Sequence, residues 1–502
     1  MSETEIEKSH NLNTSRRDFI RKVGTAAAGL LVVPYLKPSG VFAYNHLQGS
    51  SFLATVGICN TTGTPADTYV YDDATGGVKQ KVKYILDLLD QNQTGGVSAL
   101  FSKGKKVAIK INMTGGSGTA AGLHGYTITE AMWTHPAVIQ AVGQYIIDAG
   151  VNPSDLYIVD SFWDTNWQNA GSTAPFGSND AFGYRAAQLA LGCNVVDLND
   201  TTPANIVAAS TGSNYFNFAS LTMNKILQSV DVYVSIPKLK HHSAAGLTSA
   251  LKNQVGIVPK SLYTITNDNG RRGAIHHATS TGTEWTYLPR SICDLNAARP
   301  VHLAVIDGIQ NSTGGEGAWC PKFAFCQKHV LIAGLDPVAT DSIGAKIMGL
   351  DPEAATFPLP AAMTDGSATS STTDNHLYLL NAKGVGTNQL SQIQVVGDGA
   401  SMVTAVSRQV TSQQPSAFQL YTNYPNPFNP STMIAFSVPH SGYVTLKVFD
   451  IAGRAIETLI QGEVPAGEHR LQWSAQGLPS GVYFCRMEAG GFSHTIKMIY
   501  TK

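Results

Sequence analysis

The sequence predicts an α/β central domain with a largely parallel sheet, followed by a small all-β, Ig-like sandwich. Two observations support this prediction. Between about residues 51 and 396, short β-branched runs alternate with segments of helical periodicity, and strands separated by helices are typical of parallel sheets. From about residue 418 the pattern changes to short alternating strands separated by Gly and Pro turns, which is typical of an antiparallel sandwich.

The elements of the α/β domain follow from its hydrophobic periodicity. The helix predicted at 337–348 has the clearest boundaries, because Asp336 suits the N-cap, Pro337 fits the first turn and Gly349 follows the last turn. The predicted strands are 106–111, 156–159, 232–236, 301–306 and 330–333, and the other predicted helices are 136–149 and 181–191.

Composition sets the domain boundaries. We place the α/β domain at 44–396, a linker rich in Ser, Gln and Thr at 397–417, and the sandwich at 418–502. The polar stretch 364–375 is predicted to be a surface loop of the α/β domain. The strands of the sandwich are predicted at 433–438, 443–450, 468–473, 481–487 and 493–500.

Residues 1–43 have the order of a signal peptide, with an arginine pair, a Gly/Ala-rich apolar run over 23–33 and a small residue, Ala43, that suits cleavage. The run is too short to cross a bilayer, which needs roughly 20 apolar residues, so no transmembrane anchor is expected. The pair Arg16 and Arg17 resembles the twin-arginine signal, whose translocase exports folded proteins. The resemblance implies folded export into the periplasm.

Charge and cysteine content exclude several classes of protein. The 502 residues include 34 Lys and Arg against 35 Asp and Glu, a net charge of -1, so the chain lacks the basic balance of a nucleic-acid-binding protein. Its six cysteines include no CxxC pair, which argues against a zinc ribbon or a thioredoxin motif. Cys320 and Cys326 enclose five residues, which suits a short disulfide in an oxidising exterior, whereas metal ligation would need partners that the sequence does not identify.

Polar residues follow four of the predicted strands, at the point where each strand ends. The carboxyl ends of parallel strands meet at one edge of an open α/β sheet, where ligands bind, so we expect these residues to line one crevice. The alternative for any one of them is that strand ends are simply where chains become polar. The residues are Lys110, Asn112, Asp160, Lys238, Lys240, His241, His242 and Asp307.

The segment 237–253 has the highest density of such groups. Its lysines suit the phosphate or carboxylate of a small anionic ligand. Its two adjacent histidines either transfer protons or ligate a metal, and since adjacent side chains point in different directions, one of the two is expected to face the ligand. The predicted catalytic residues are His241, His242, Lys252 and Asp307, and the predicted ligand-binding residues are Lys110, Asn112, Asp160, Lys238, Lys240 and Asn253.

A transition-metal site is a second interpretation of the histidines. His241, His276 and His277 would supply imidazole ligands, and Glu316 would supply a carboxylate. Their spacing fits no fixed metal motif, and hydrogen-bonded loop histidines are the alternative. The sequence leaves the identity of any metal or other cofactor open.

Several segments of the α/β domain resemble the domain of unknown function 362 family. They are 107–112 (VAIKIN), 134–136 (THP), 236–242 (IPKLKHH), 246–253 (GLTSALKN), 307–308 (DG) and 336–341 (DPVATD). The resemblance carries no biochemical activity over to this chain. Members of the family are sometimes joined to iron-sulfur modules, but this chain lacks the four-cysteine run of a ferredoxin, so no iron-sulfur cluster is expected.

The C-terminal region resembles the type A C-terminal sorting domain of the type IX secretion system. The matching segments are 424–432 (YPNPFNPST), 450–454 (DIAGR), 466–469 (AGEH) and 480–483 (SGVY). The resemblance implies that the type IX machinery carries the protein across the outer membrane after periplasmic transit. The protein then stays on the cell surface or leaves the cell.

Two functions remain open at this stage. The first is a secreted enzyme or ligand-binding protein whose site at the strand ends takes a metal or a small anion. The second is a non-catalytic surface protein that binds others, forms filaments or builds the envelope. An open polar pocket at the strand ends would favour the first.

Overall fold

The structure is a computed structural model that describes residues 54–92, 96–114, 128–162, 183–265, 272–277, 283–317, 320, 322–359, 371–403, 417–421, 423, 426–464 and 467–501. The predicted signal peptide therefore lies outside the described residues. The chain divides into two compact units, Met1–Ser407 and Arg408–Lys502. Within the described ranges, no helix has the length and apolar character needed to span a membrane.

The first unit mixes strands and helices along the chain. Its strands are β1 (Ala54–Asn60), β2 (Val107–Ile111), β3 (Leu156–Asp160), β4 (Asn194–Asp197), β5 (Ile206–Ser210), β6 (Ser220–Asn224), β7 (Val232–Ile236), β8 (Lys238–His242), β9 (Gly246–Thr248), β10 (Leu303–Thr313), β11 (Ala324–Gly334), β12 (Thr356–Pro358), β13 (Thr372–Asp374) and β14 (Ile393–Val396). Its α-helices are α1 (Val78–Asn92), α2 (Ile128–Met132), α3 (Pro136–Asp148), α4 (Tyr184–Leu191), α5 (Ile226–Ser229), α6 (Lys260–Tyr263), α7 (Gly273–His276), α8 (Glu284–Ala298), α9 (Pro337–Ile347) and α10 (His376–Ala382). Short 3₁₀ helices lie at Pro65–Thr68, Val97–Leu100, Pro153–Asp155, Pro203–Asn205, Lys252–Ile257 and Leu390–Gln392.

Ten of the described strands form one sheet. Its main order is β14-β1-β11-β10-β7-β2-β3-β4, and β8 and β9 extend it beside β10. From β10 to β4 the neighbours run parallel, whereas β11 is antiparallel to both of its neighbours, β1 and β10. The predicted α/β fold with a largely parallel sheet is therefore confirmed.

Both faces of this sheet are covered, as expected for strands that are apolar along their whole length. On β2, Val107, Ile109 and Ile111 pack into one core cluster. Ala108 packs into the cluster on the other face, together with Tyr233 of the adjacent β7. Side chains on these strands therefore alternate between two buried layers, and any polar residue on them is drawn into the interior.

The helix α9 shows how local capping sets the element boundaries. The Asp336 carboxylate accepts the amide N–H groups of Val338 and Ala339 at 2.8 and 3.0 Å. Pro337 occupies the first turn, and Gly349 follows with a φ of 84°, a conformation that glycine adopts without strain. The predicted ends of this helix agree with the structure to within one residue.

Six predicted site residues need correction in their secondary structure. Lys110 lies within β2, and Asp307 lies midway along β10, so neither follows a strand end. Residues 238–242, predicted to follow a strand, form the strand β8 themselves. The physical reason is that β10 extends to Thr313 by pairing with β8 and β11, which lengthens the sheet beyond the apolar runs visible in the sequence.

Two polar segments have described residues that pack against the first unit. Of the predicted surface loop 364–375, residues 364–370 lie outside the described residues, whereas Thr373 and Asn375 are buried and β13 pairs with β12. Asn375 is held by the carbonyl oxygens of Pro352 and Ala354. In the predicted linker, Asp398 accepts the amide N–H of Asn60 at 2.7 Å, so the chain remains packed on the first unit there.

The second unit is an antiparallel all-β body, as predicted. Its strands are β15 (Gln419–Leu420), β16 (Ser431–Val438), β17 (Gly442–Phe449), β18 (Ala455–Val464), β19 (Gly467–Ser474), β20 (Gly481–Ala489) and β21 (Phe492–Tyr500). They form the sheets β15-β16-β19 and β18-β17-β20-β21. Phe436 of the first sheet and Leu446 and Met487 of the second pack into one core. The strand β18 was not predicted, because most of its residues are exposed and it shows no apolar alternation.

Candidate functional site

The candidate site lies at the edge of the sheet where β2, β3 and β7 reach their carboxyl ends. After β7 the chain passes through Pro237 and continues as β8, which pairs in parallel with β10. Alternation along a strand places Lys238, Lys240 and His242 on one face of β8 and His241 on the other. Two lysines and a histidine therefore stand in a row beside β10.

Lys238 is neutralised by Asp307 of β10. Its Nζ lies 2.6 Å from Oδ2 of Asp307, and both side chains are fully buried. The Tyr69 hydroxyl joins the pair, since it accepts a hydrogen bond from Lys238 at 2.8 Å and donates one to Asp307 at 2.9 Å. Burial lowers the pKa of Lys238, and the Asp307 charge opposes this effect. The three polar side chains thus satisfy one another.

His135 stacks on this cluster and was not singled out from the sequence as a site residue. Its ring lies on that of Tyr69 with centroids 3.8 Å apart and an interplanar angle of 9°. Its Nδ1 accepts the Ala137 amide N–H at 3.1 Å, so the neutral ring carries its proton on Nε2, which lies 4.0 Å from Oε1 of Glu130. Burial and the Lys238 charge hold the pKa of His135 well below its usual range. The ring is therefore a neutral N–H donor.

Lys110 is the second lysine with a buried carboxylate. Its Nζ lies 2.8 Å from Oδ1 of Asp160 and donates to the Ile111 carbonyl at 2.7 Å and to Asn253 Oδ1 at 3.1 Å. Burial lowers the pKa of Lys110 and raises that of Asp160, while their mutual attraction opposes both shifts. A Cβ at Gly256 would lie 2.7 Å from Lys110 Nζ, so a glycine is needed where the chain passes this pair.

The two asparagines predicted to contact a ligand are engaged within the protein. Asn253 accepts from Lys110 and donates to Ser235 Oγ at 3.1 Å. Asn112 accepts the Lys238 amide N–H at 3.4 Å and donates to Thr114 at 2.9 Å. Both side chains therefore tie neighbouring strands together and hold the lysines in place.

Lys240 and Lys252 differ from the other two buried lysines. Lys240 is fully buried and its Nζ donates to the Met132 carbonyl at 2.6 Å. Lys252 is 7% exposed and has no hydrogen bond or ion pair to any residue that the structure describes. Burial, followed by the Lys252 charge, lowers the pKa of Lys240 to about 7. Burial likewise lowers the pKa of Lys252 to about 8.

His242 and Glu316 stand beside these two lysines. His242 Nδ1 accepts the amide N–H groups of Ala244 and Ala245 at 3.1 and 3.2 Å, so Nε2 carries the proton and lies 3.9 Å from Glu316. Burial holds the pKa of His242 well below its usual range. Glu316 accepts the Ser243 amide N–H at 2.9 Å; burial opposes its ionisation, but His242 and this bond lower its pKa overall. A neutral imidazole thus faces a carboxylate.

The predicted metal ligands do not come together as a set. His241 Nε2 lies 3.3 Å from the Met348 carbonyl, on the opposite face of β8 from Glu316. His276 Nδ1 is occupied by the Arg272 carbonyl at 3.1 Å, and the buried Nδ1 of His277 has no hydrogen-bond partner within the described part of the chain. Among the described residues, no three His, Cys, Asp or Glu side chains are placed to hold one metal ion.

Two further groups near Lys252 were not predicted from the sequence. Both ring nitrogens of the fully buried His376 lack a hydrogen-bond partner in the described ranges. Burial, with the Lys252 charge second, lowers its pKa to about 3. Arg272 is 5% exposed and donates to the Val258 carbonyl at 2.9 Å. His376 directly follows the polar stretch 364–375, and Arg272 follows the polar residues 266–271. Composition alone therefore predicts that both residues lie at the surface.

Asp341 of α9 fixes the backbone that carries Lys252. Its two carboxylate oxygens accept the amide N–H groups of Ala250 and Leu251, each at 2.9 Å. Burial raises the pKa of Asp341 to about 7. These amides directly precede the 3₁₀ helix Lys252–Ile257. The Asp341 carboxylate therefore fixes the direction in which the Lys252 side chain extends from the backbone.

Two other features of the described chain bear on the earlier expectations. Cys320 and Cys326 are both free thiols. A groove of about 310 Å³ lies between α1 and α3 and is lined by residues that include Lys79, Asp87 and Tyr145. None of the predicted site residues lines this groove.

The fold and this sheet edge define an α/β domain followed by a C-terminal all-β unit, and comparisons with known proteins show which families these two parts are similar to. Residues 107–346 match the family described as Domain of unknown function (DUF362), and residues 422–501 match the Secretion system C-terminal sorting domain. The two segments are therefore similar to these two families over the residues matched. The sorting tail points to secretion to the cell surface or the extracellular space, and it implies interaction with the secretion machinery.

Two individual proteins were also found to be similar. A thylakoid-associated protein of Synechocystis sp. is 27% identical over 269 residues, which is 53% of this chain and 70% of that protein. The X-ray structure of an endo-beta-1,4-mannanase from Thermotoga petrophila is 12% identical, with 73% of this chain and 82% of that chain covered and a TM-score of 0.17. A likeness at this TM-score carries no argument about fold or activity.

Proposed function

We propose that the α/β domain binds a small anionic molecule, bearing a carboxylate or a phosphate, between the ammonium groups of Lys240 and Lys252. The observation that supports this proposal is a contrast among four buried lysines. Lys110 and Lys238 have carboxylates at 2.8 and 2.6 Å, whereas Lys240 and Lys252 have none at ion-pair distance among the described residues.

The energetics favour an external counter-charge. Removing an ammonium group from water costs several kcal/mol even after the protein relaxes. Lys110 and Lys238 offset this cost with the charges of Asp160 and Asp307. Lys240 has only the neutral Met132 carbonyl at 2.6 Å, and Lys252 has no bonded partner among the described residues. An anion between them would supply charge-assisted hydrogen bonds to both. A site with this imbalance is therefore complementary to an anion.

The site also contains groups that can move protons. The Glu316 carboxylate can accept a proton, and the neutral His242 ring presents an N–H group beside it. We propose that these two residues act on the bound ligand, with Lys240 and Lys252 holding it. The same arrangement favours an anion over a transition metal, because three metal-ligating side chains do not converge in the described part of the site.

The proposal places this activity outside the cell. The arginine pair Arg16 and Arg17 would direct folded export to the periplasm, and the sorting tail would then direct passage through the outer membrane. Replacing both arginines by lysine should leave the precursor in the cytoplasm, as measured by cell fractionation. Periplasmic accumulation of the variant would contradict the twin-arginine route.

Isothermal titration calorimetry on the full secreted chain tests the binding site, with inorganic phosphate, pyruvate and 2-oxoglutarate as probes. At least one probe should bind. Lys252→Met and Lys240→Met should each weaken its binding by about 10- to 100-fold, because a hydrogen bond to a charged group contributes about 1.5–3 kcal/mol. Lys225→Met, which changes an exposed lysine, is the matched control and should bind like the wild type.

The outcome that would contradict the proposal is equal binding by all four proteins, or no binding by any of them. Either result would favour the non-catalytic surface role. Circular dichroism of each variant separates lost binding from lost folding.

A further inference from the structure

We infer that Lys252 forms an imine with its ligand and that the ligand is a small 2-oxo acid, in which a carbonyl carbon adjoins the carboxylate. The inference rests on the proposed anion site and adds a covalent step to it. The observation on which it depends is the position of the Lys252 amine.

Lys252 is the one lysine of the four whose amine is not engaged by the described protein. Lys110 donates to Ile111 and Asn253, Lys238 to Tyr69 and Asp307, and Lys240 to Met132. A nucleophile must keep its lone pair free of such bonds and reachable by substrate. Lys252 meets both conditions, since its amine has no bond to the described residues and it is, at 7%, the most exposed of the four lysines, while the backbone just before it is held by Asp341.

The electrostatic surroundings favour the neutral, reactive form of this amine. Cationic neighbours disfavour its protonation, and a single carboxylate favours it. Lysines that are buried beside another cation are activated as nucleophiles in this way. The groups that face Lys252 electrostatically are Lys110, Lys240, Arg272, His242, His276, His376 and Glu316.

The size of the effect is large enough to matter at neutral pH. With its pKa lowered to about 8 by burial, Lys252 is unprotonated in about a quarter of molecules at pH 7.5, against about a thousandth for an ordinary lysine. The fraction of nucleophile is thus raised by about two orders of magnitude.

The two lysines that we propose to hold one ligand would each meet one functional group of a 2-oxo acid. Lys240, whose amine is fixed on the Met132 carbonyl, would hold the carboxylate, because a bound anion beside it favours its protonated form. Lys252 would then meet the adjacent carbonyl carbon. Inorganic phosphate and simple carboxylates can bind to Lys240 but offer no electrophilic carbon to Lys252. The two lysines together therefore suit a ligand that has both an anionic group and a carbonyl carbon.

The covalent step balances without an oxidant or a reductant. The Lys252 nitrogen attacks the carbonyl carbon, and the carbonyl π pair moves to oxygen. One proton passes from nitrogen through the Glu316 carboxylate to that oxygen, giving a carbinolamine. The nitrogen lone pair then forms the C=N bond as the C–O bond breaks. The departing hydroxyl group takes up the second amine proton and leaves as water, so the products are the imine and one water molecule.

Reductive trapping tests this step on the full secreted chain. The protein is incubated with glyoxylate, pyruvate or 2-oxoglutarate, and cyanoborohydride reduces any imine to a stable secondary amine. Intact mass should show one added ligand, and peptide mapping should place it on Lys252. Trapping should be at least about tenfold faster than at exposed lysines such as Lys225, and it should be lost in Lys252→Arg, which keeps the charge.

The outcomes separate this inference from the anion site. If a 2-oxo acid binds by calorimetry but labels exposed lysines as fast as Lys252, the imine inference is overturned and the anion site stands. If no probe binds or labels Lys252, both are overturned. Mapping of the wild-type adduct decides the question even where a variant fails to fold, and Lys225→Arg should trap like the wild type.

Discussion

Two pairs of buried lysines at one sheet edge have opposite surroundings. Lys110 and Lys238 each form a short ion pair with an aspartate and further hydrogen bonds. Lys240 and Lys252 are also buried, at 0% and 7% exposure, but have no carboxylate at that distance in the described structure. Burial of a charge does not by itself indicate a structural role: the first pair is neutralised within the protein, and the second is the pair for which we propose a bound anion.

The largest expected effect on stability comes from removing the lysine of a buried ion pair. Lys238→Met leaves Asp307 charged and uncompensated in the interior, so the free energy of unfolding should fall by about 3–5 kcal/mol. Urea denaturation followed by the helical circular dichroism signal measures this, because all helices of the described residues belong to the first unit.

The double variant Lys238→Met with Asp307→Leu is the control for this prediction. It should recover part of the loss, since both charges are gone. A single variant as stable as the wild type would show that the pair does not hold the edge.

An intermediate effect is expected for the unpaired lysine, with a different pH dependence. The pKa of Lys252 in the folded protein, about 8, is below that of an unfolded lysine, so the folded state binds this proton more weakly. Wild-type stability should therefore gain up to about 3 kcal/mol from this group as pH rises from about 8 to about 10.5. Lys252→Met should lack this gain and should match or exceed the wild type in stability below pH 8.

The comparison of wild type and Lys252→Met is made by urea denaturation across this pH range without ligand. Lys225→Met serves as the matched exposed control and should follow the wild type. A constant difference between wild type and Lys252→Met from pH 7 to 10.5 would contradict the unpaired state of the amine.

The smallest effect is expected at an exposed ion pair. Lys83 and Asp87 lie one turn apart on α1, and their side chains are 66% and 38% exposed. Pairs of this kind contribute about 0.3–0.5 kcal/mol, so Lys83→Ala should change stability by no more than that, as measured by the same denaturation. A loss of stability as large as that of Lys238→Met would contradict the expected difference in stability contribution between buried and exposed ion pairs.

The sequence predicted the parts of the fold that depend on local pattern. The apolar run of β7 and the capping residues Asp336, Pro337 and Gly349 of α9 act over a few residues, so their elements could be placed. The strand β8 could not, because its Lys and His content masks a strand that is stabilised by pairing with β10.

The candidate site was predictable in composition but not in pairing. Lys238, Lys240 and Lys252 were singled out because they cluster in one segment. That Lys238 would be neutralised by Tyr69 and Asp307 depends on contacts between residues far apart in the chain. No sequence pattern distinguishes it from Lys240, which lies two residues away on the same face. His376 was missed for the same reason, since its burial is produced by tertiary packing.

The most direct test of the central claim is the titration of Lys252 itself. Competitive acetylation with acetic anhydride across pH 6–11, read by peptide mass spectrometry on the full secreted chain, gives the pKa of each reactive amine. The account predicts that Lys252 titrates near 8, about two units below a free lysine side chain. A titration at the ordinary lysine value would contradict it, because Lys252 would then be compensated within the protein and would not await an anion.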